Sequence, residues 1–359
     1  MGVLMKKANI EDIDVAAAAS EDSNIFGLNF TATESNVVLL PVPWEATVSY
    51  GRGTSHGPEA VRRASSQLDF FDAEFAELGL SRPWEFGIHL LPVSKGLETL
   101  HQSVVEFAHS IVDAGGAHSK KLLAALTEVN EASSRVNSIT KSESAKWLDS
   151  GKIVGFIGGD HSTAFANIAA CAERFPNLGV LHFDAHADLR AAYLGFEFAH
   201  ASVMHNVVRK VDGVAKLVQV GIRDFCEEEH AMATTHPKIK TWFDFAIRRA
   251  LFSGNNWADI SSEIIESLPQ EVYVSFDIDA LDPSLCPHTG TPVAGGLSFA
   301  EASFLIVELA KSGRRIVGFD VNEVAPNPRN RTDEWDGNVG ARILYKLCGA
   351  ALYSNGART

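Results

Sequence analysis

Paired thiols, basic charge and long apolar runs are all scarce in this chain, and each scarcity removes a class of function. The four cysteines (Cys171, Cys226, Cys286, Cys348) are scattered without CxxC spacing. They read as reduced thiols of a cytoplasmic protein rather than a disulfide framework or a thiolate metal site. Lys and Arg number 31 against 45 Asp and Glu, a formal charge of −14. A nucleic-acid binder needs a basic face for the phosphates, so that role is not expected. The acidic balance suits a cationic ligand, or simply solubility. No apolar run reaches bilayer-spanning length, so no membrane partner is expected. Ala16 to Ala19 is too short and too close to acids for the apolar core of a signal peptide, and none is expected. Internal repeats and convincing linkers are also missing.

What remains is an ordinary globular composition, 46% hydrophobic and 21% charged over 359 residues. That length allows one large α/β domain or two smaller ones, and the missing linker favours one. Residues 1 to about 35 are polar and acidic, and read as an N-terminal arm or short helix at a subunit contact. Asn36 to Pro41 reads as a first buried strand. A Gly-rich loop, Gly51 to Pro58, leads into a helix carrying Val61 and Arg62, with the proline in its first turn. Residues 98 to about 150 read as helix, polar stretch and helix. The part from Lys120 to Lys146, with no aromatic residue, looks like an inserted helical excursion. Then a rhythm begins: apolar runs at Ile153–Ile157, Leu178–Phe183, Lys216–Gly221, Val272–Phe276 and Ile316–Phe319, separated by helical segments. Short apolar runs alternating with helices imply a parallel sheet covered on both faces. Ser298 to Glu301 is a capping box opening a helix that ends at Gly313.

Polar residues gather just after these runs, at the edge where open α/β sheets bind ligands. Asp184-Ala185-His186-Ala187-Asp188 alternates acid and imidazole with alanine. In extended backbone the three polar side chains would point to one spot. Asp277-Ile278-Asp279 repeats the device, with Asp282 following, and Gly158-Gly159-Asp160-His161 adds an imidazole. Asp160 itself reads as a helix N-cap. Four close carboxylates repel one another and raise their pKa values, and two divalent cations would cancel that charge. Oxygen and nitrogen ligands without thiolate favour Mn²⁺ or a similar ion, and an ion pair can generate hydroxide near neutral pH.

The trio Gly-Gly-Asp-His-Ser (158–162), Asp-Ala-His-Ala-Asp (184–188) and Ser-Phe-Asp-Ile-Asp-Ala-Leu-Asp-Pro (275–283) resembles the metal signatures of the ureohydrolase (arginase/agmatinase) family, from about residue 36 to 352. The resemblance implies an α/β/α sandwich on an eight-stranded parallel sheet, a catalytic domain over 36–355, and a homotrimer or homohexamer. It implies that His161, Asp184, Asp188 and Asp277 hold one metal. Asp184, His186, Asp277 and Asp279 would hold the other, with Asp184 and Asp277 bridging. His200 would shuttle a proton to the leaving amine, Glu323 would receive the planar guanidinium, and Asp279 would take the nucleophile's proton. His182 reads as a buried residue deeper in the sheet, and the remaining histidines as structural or exposed.

The implied reaction is hydrolysis of a small guanidino compound by a dinuclear centre, releasing urea with ammonia or an amine. The loop Leu189–Gly195 lacks the Ser/Asn stretch that holds arginine in arginases, and Leu-Arg with Tyr-Leu-Gly and His-Ala-Ser resembles the agmatinase branch. The 120–150 stretch, the arm and Arg331 to Asp336, with bulky Trp335, resemble the guanidine hydrolase subgroup, whose metal is nickel. Free guanidine is therefore favoured slightly over agmatine, with Mn²⁺ or Ni²⁺ as the ion and a metal-loading accessory protein as a further partner. The alternatives are arginase, guanidinobutyrase, a formimidoylglutamase-type hydrolase and a non-catalytic binding member.

Overall fold

Each apolar run expected as a strand becomes one in the computed structural model, which describes residues 5–10, 23–330 and 332–359. The strands are β1 (Val37–Val42), β2 (Ile88–Leu90), β3 (Ile153–Gly158), β4 (Leu178–Phe183), β5 (Val214–Ile222), β6 (Ile239–Phe243), β7 (Glu271–Asp277) and β8 (Arg315–Asn322). They form a single parallel sheet in the order β2-β1-β3-β8-β7-β4-β5-β6. The runs do not predict β2, which is three residues long, or β6, whose central residues Lys240 to Trp242 are exposed or partly exposed at the sheet edge.

Alternate residues of each strand feed two separate cores. Val37 and Leu39 point to one face with Leu181, Val272 and Val274, under the helices Phe299–Lys311 and Trp335–Ser354. Val38 and Leu40 point to the other with Val154, Val180 and Leu217, under Lys95–Asp113, Lys120–Asp149 and Ala164–Arg174. This is the expected three-layer α/β/α sandwich. Fully burying an aliphatic or phenylalanine side chain contributes about 1.5–3 kcal/mol, so two such cores hold the sheet firmly.

Local signals are realised where they were read. Ser298 Oγ accepts from Glu301 N at 3.1 Å, while the Glu301 carboxylate takes Ser298 N at 2.8 Å. Pro58 lies in the first turn of Gly57–Ser65. The stretch from Lys120 to Lys146 lies within one unbroken 30-residue helix. Its buried positions Ala125, Val129, Ala132, Val136, Thr140, Ser144 and Leu148 follow the 3.6-residue period. Ile25, Phe26, Leu28 and Phe30 are buried in the first core. Residues 1–4 and 11–22, most of the expected arm with its Ala patch, lie outside the described residues, as does Arg331. No helix of the described residues is long and apolar enough to cross a membrane.

The topology places the chemistry. β3 and β4 are consecutive in the chain, yet β8 and β7 lie between them. Ligands bind outside the carboxyl ends of strands at such a switch point. The residues read as functional follow β3 (His161), β8 (Glu323), β7 (Asp279) and β4 (Asp184 to Asp188).

Candidate functional site

The end of β3 needs two small residues because the chain is crowded there. A Cβ on Gly159 would lie 2.0 Å from Trp44 O, inside any permitted contact. The next residue, Asp160, caps the short turn His161–Thr163 by accepting Ser162 N at 3.2 Å. Its other oxygen takes Ala46 N at 3.0 Å. Asp160 is thus the cap that the sequence suggested. His161, fixed by this turn, is 1% exposed.

Two imidazoles organise the carboxylates. His161 Nδ1 lies 3.0 Å from Asp184 Oδ2, 3.2 Å from Asp188 Oδ2 and 3.1 Å from Asp277 Oδ2. His186 Nδ1 lies 3.3 Å from Asp184 Oδ1 and 3.1 Å from Asp279 Oδ2. Asp184 therefore divides its two oxygens between the clusters. All six residues predicted as ligands converge, but not on one spot. β4 ends at Phe183, and Asp188 takes φ +53°, so the alternation of extended backbone does not continue through the motif. Asp184 and Asp188 turn to His161, while His186 turns to Asp279. Asp277 ends β7 and Asp279 sits in the following turn, where Asp277 Oδ1 accepts Asp279 N at 2.9 Å.

The electrostatics call for cations. Burial and the charge of Asp184 push Asp188 up to about 7. Burial, with Asp279 and Asp184 beside it, pushes Asp277 well above the usual carboxylate range. Against its own burial, Asp184 is held well below by His182, His161 and His186. Among the described residues, buried Asp279 Oδ2 accepts no hydrogen bond, although His186 Nδ1 stands 3.1 Å away. A divalent ion with ligand bonds of about 2.0–2.2 Å sets neighbouring donor atoms about 3 Å apart. The N···O separations here match that spacing, and the donors are hard oxygens and imidazole nitrogens. The residues fit a pair of divalent cations.

His182 lies close enough to Asp184 and Asp188 to be counted with their cluster. Both its nitrogens are nevertheless engaged. Gln219 Nε2 donates to His182 Nδ1 at 3.0 Å and to Ala187 O at 2.8 Å, while Thr241 donates to Gln219 Oε1 at 2.9 Å. His182 Nε2–H must therefore donate to Asp184 Oδ2, 2.8 Å away. It holds the shared carboxylate in place. On the other side, His161 Nε2 meets Ser275 Oγ at 2.9 Å, and Ser275 Oγ donates to Asp320 Oδ1 at 2.9 Å. Arg223 Nη2 donates to Asp279 O at 2.8 Å and to Val293 O at 2.9 Å, tying the Asp279 turn to the loop beyond it. Gln219 and Arg223 carry no local signal in the sequence, and Ser275 opens the 275–283 stretch without a role of its own being legible there.

Glu323 follows β8 with φ +62°, a strained conformation for a side chain of this size. Its Oε1 accepts His161 N at 2.8 Å and its Oε2 has no partner. Burial, followed by the charges of Asp277 and Asp160, pushes its carboxyl well above the usual range. A Cβ on Gly290 would fall 2.8 Å from Oε2, so the covering loop must be bare there. His200 lies against Thr47, whose Oγ1 is 3.0 Å from its Nδ1, and its ring meets Tyr193 edge-on at 5.5 Å. Trp335 is half exposed and donates to Ser284 O at 3.0 Å.

Comparison with known proteins agrees with this geometry. The model of the arginase family matches residues 35–349. The chain is 32% identical over 319 residues to the N(1)-aminopropylagmatine ureohydrolase of Thermus thermophilus, covering 88% of this chain and 90% of that one. It is 31% identical over 348 residues to the agmatinase of Neisseria meningitidis, covering 94% of each. Among solved structures, proclavaminate amidino hydrolase from Streptomyces clavuligerus shares the fold with a TM-score of 0.69. That pair is 21% identical over 95% of this chain and 100% of the other. The chain belongs to the arginase family, and is a metal-dependent hydrolase of guanidino C–N bonds.

Proposed function

We propose that the enzyme hydrolyses a small guanidino compound, free guanidine or agmatine, to urea and ammonia or an amine, with Mn²⁺ or Ni²⁺ as its ions. His161, Asp184, Asp188 and Asp277 would hold one ion; Asp184, His186, Asp277 and Asp279 would hold the other. Bound there, such ions supply a nucleophile near neutral pH by lowering the pKa of water.

The protein's own groups do the rest. Glu323 presents Oε2 free, and Oε1 keeps a lone pair beyond the one that takes His161 N–H. The carboxylate can therefore accept two parallel N–H bonds and set the guanidinium plane. Asp279 Oδ2 accepts the proton that the nucleophile gives up. His200, whose pKa burial pushes down, is neutral near pH 7 and carries a proton to the departing nitrogen. The observation that carries this reading is a pair of imidazole–carboxylate clusters sharing Asp184 beside the buried Glu323 carboxylate, whose Oε2 accepts no hydrogen bond among the described residues.

The relatives' names refer to agmatine and its aminopropyl derivative, which sets agmatine beside guanidine as the first substrates to try. The reading takes residues 36–355 as one catalytic domain, working in the cytoplasm as a homotrimer or homohexamer. Purified protein loaded with Mn²⁺ or Ni²⁺ is to be assayed for urea on guanidine, agmatine, guanidinobutyrate and arginine. Turnover of guanidine or agmatine is expected. Hydrolysis of a formimino or acylated amine without urea release would overturn the reading.

A further inference from the structure

Thr47, on the loop after β1, meets His200 from 153 residues away. Its Oγ1 accepts His200 N–H at 3.0 Å and lies 3.0 Å from His200 Nδ1. The same oxygen is 3.3 Å from Asp160 Oδ2. Thr47 and Asp160 are fully buried. A threonine hydroxyl has a single proton, so it can donate to one of these two neighbours.

The surroundings of Asp160 decide which. Its oxygens accept Ala46 N at 3.0 Å, Thr47 N at 3.3 Å, Ser162 N at 3.2 Å and the Ser162 hydroxyl. Three of these are backbone N–H groups that can only donate, and such a cage fits a carboxylate. A carboxylate accepts only, so its contact with Thr47 is favourable only when the hydroxyl proton points at it. Hydrogen bonds to an ionised acceptor are roughly twice as strong as neutral ones, which favours this direction over donation to the imidazole. With that proton committed, Thr47 Oγ1 must accept from His200 Nδ1–H.

We propose that Thr47 is a positioning residue linking Asp160 to His200, so that the imidazole is held as its Nδ1–H tautomer and Nε2 alone carries the moving proton. The proposal rests on His200 being the proton carrier. Over one turnover Nε2 gains the proton that Asp279 took from the nucleophile and passed on, and hands it to the departing nitrogen. The Nδ1–H and the threonine O–H stay where they are, so nothing is left over. While Nε2 is protonated, the cationic ring faces the Asp160 charge through a single hydroxyl. This is the logic of a carboxylate-oriented histidine, with a threonine inserted between the two.

The tautomer is read directly by ¹⁵N NMR of histidine-labelled enzyme loaded with diamagnetic Zn²⁺. In the unaltered protein His200 is expected to show a protonated Nδ1 and a bare Nε2; the opposite pattern overturns the proposal without any variant. Thr47→Val keeps the shape and removes the hydroxyl. It should lower kcat about 10- to 100-fold, part of the roughly 10²–10⁴ that a placed proton carrier contributes. KM and metal content should stay near wild type, and the apparent pKa of the kcat profile should fall. Thr47→Ser should restore both kcat and the tautomer signal. Wild-type kcat in Thr47→Val, alongside an inactive His200→Ala, overturns the relay while sparing the role of His200. An active His200→Ala overturns the role of His200 itself, and the relay with it.

Discussion

The two imidazole clusters share Asp184 and differ in almost everything behind it. On the His161 side the ring and the shared carboxylate are both backed: Ser275 and Asp320 stand behind the ring, and His182, Gln219 and Thr241 stand behind Asp184. Asp320 is itself held by Phe276 N at 3.2 Å and Asn322 Nδ2 at 2.5 Å. On the His186 side the ring is 23% exposed, and its Nε2 has only Asp224 Oδ2 at 4.0 Å, on a carboxylate 66% exposed. One cluster is a packed interior network and the other opens to water. The difference shows how support and exposure are divided: the His161 cluster is braced from behind, and the His186 ring is partly open.

The strongest way to break this contrast is to remove what the clusters share. Asp184→Asn should abolish activity and cost the protein both ions by elemental analysis. Asp279→Asn should abolish activity, a loss of about 10²–10⁴ or more, while one ion stays bound at the His161 cluster. If the two variants lose metal equally, the clusters are not separable in this way. Glu323→Gln tests a group that belongs to neither. Losing a charged hydrogen bond of about 1.5–3 kcal/mol should lower kcat/KM about 10- to 100-fold, mainly through KM, with both ions retained. Metal loss with normal kinetics would contradict the assigned role.

Smaller changes sharpen the contrast. Ser275→Ala cuts the support behind His161 and should weaken ion affinity about 10- to 100-fold in a competition titration. Asp224→Asn, at the exposed ring, should change it less than about 2-fold, because a solvated charge at that distance is screened. The smallest effect concerns pH. Burial lowers the pKa of folded His200 below the ordinary 6.5, so the unfolded chain takes up a proton first as pH falls. The stability owed to neutral His200 is complete above pH 6.5 and is lost as pH drops below it. Equilibrium unfolding of His200→Asn should show a flatter acid limb than wild type; an identical limb would remove His200 from that dependence.

The parallel sheet was legible because fully buried strands must be apolar on both faces, as at Val272–Phe276. β6 escaped notice because an edge strand keeps polar residues such as Lys240 and Thr241. The Lys120–Asp149 helix seemed an excursion because small residues, Ala125, Ala132 and Ser144, do the packing that aromatics do elsewhere. In the site, residue types revealed the chemistry but not the convergence. Extended alternation placed Asp184, His186 and Asp188 together, whereas the strand ends at Phe183 and His186 turns to Asp279 while Asp184 and Asp188 meet at His161. Thr47 was invisible, since a lone threonine 153 positions from its partner carries no local pattern. His182 was half legible: its depth in β4 was read correctly, and its grip on Asp184 required the fold.

The place of β8 sets an order of events in the life of the chain. All six residues of the two clusters lie before position 280, yet β3 and β7 become neighbours only through the strand made last, Arg315–Asn322. A nascent polypeptide stopped short of that strand can pair β4 with β7, yet nothing seats His161 beside Asp184, Asp188 and Asp277. Capture of an ion at the His161 cluster must therefore wait until the closing strand slots into the middle of the sheet, and an ion taken up there rewards only the finished molecule.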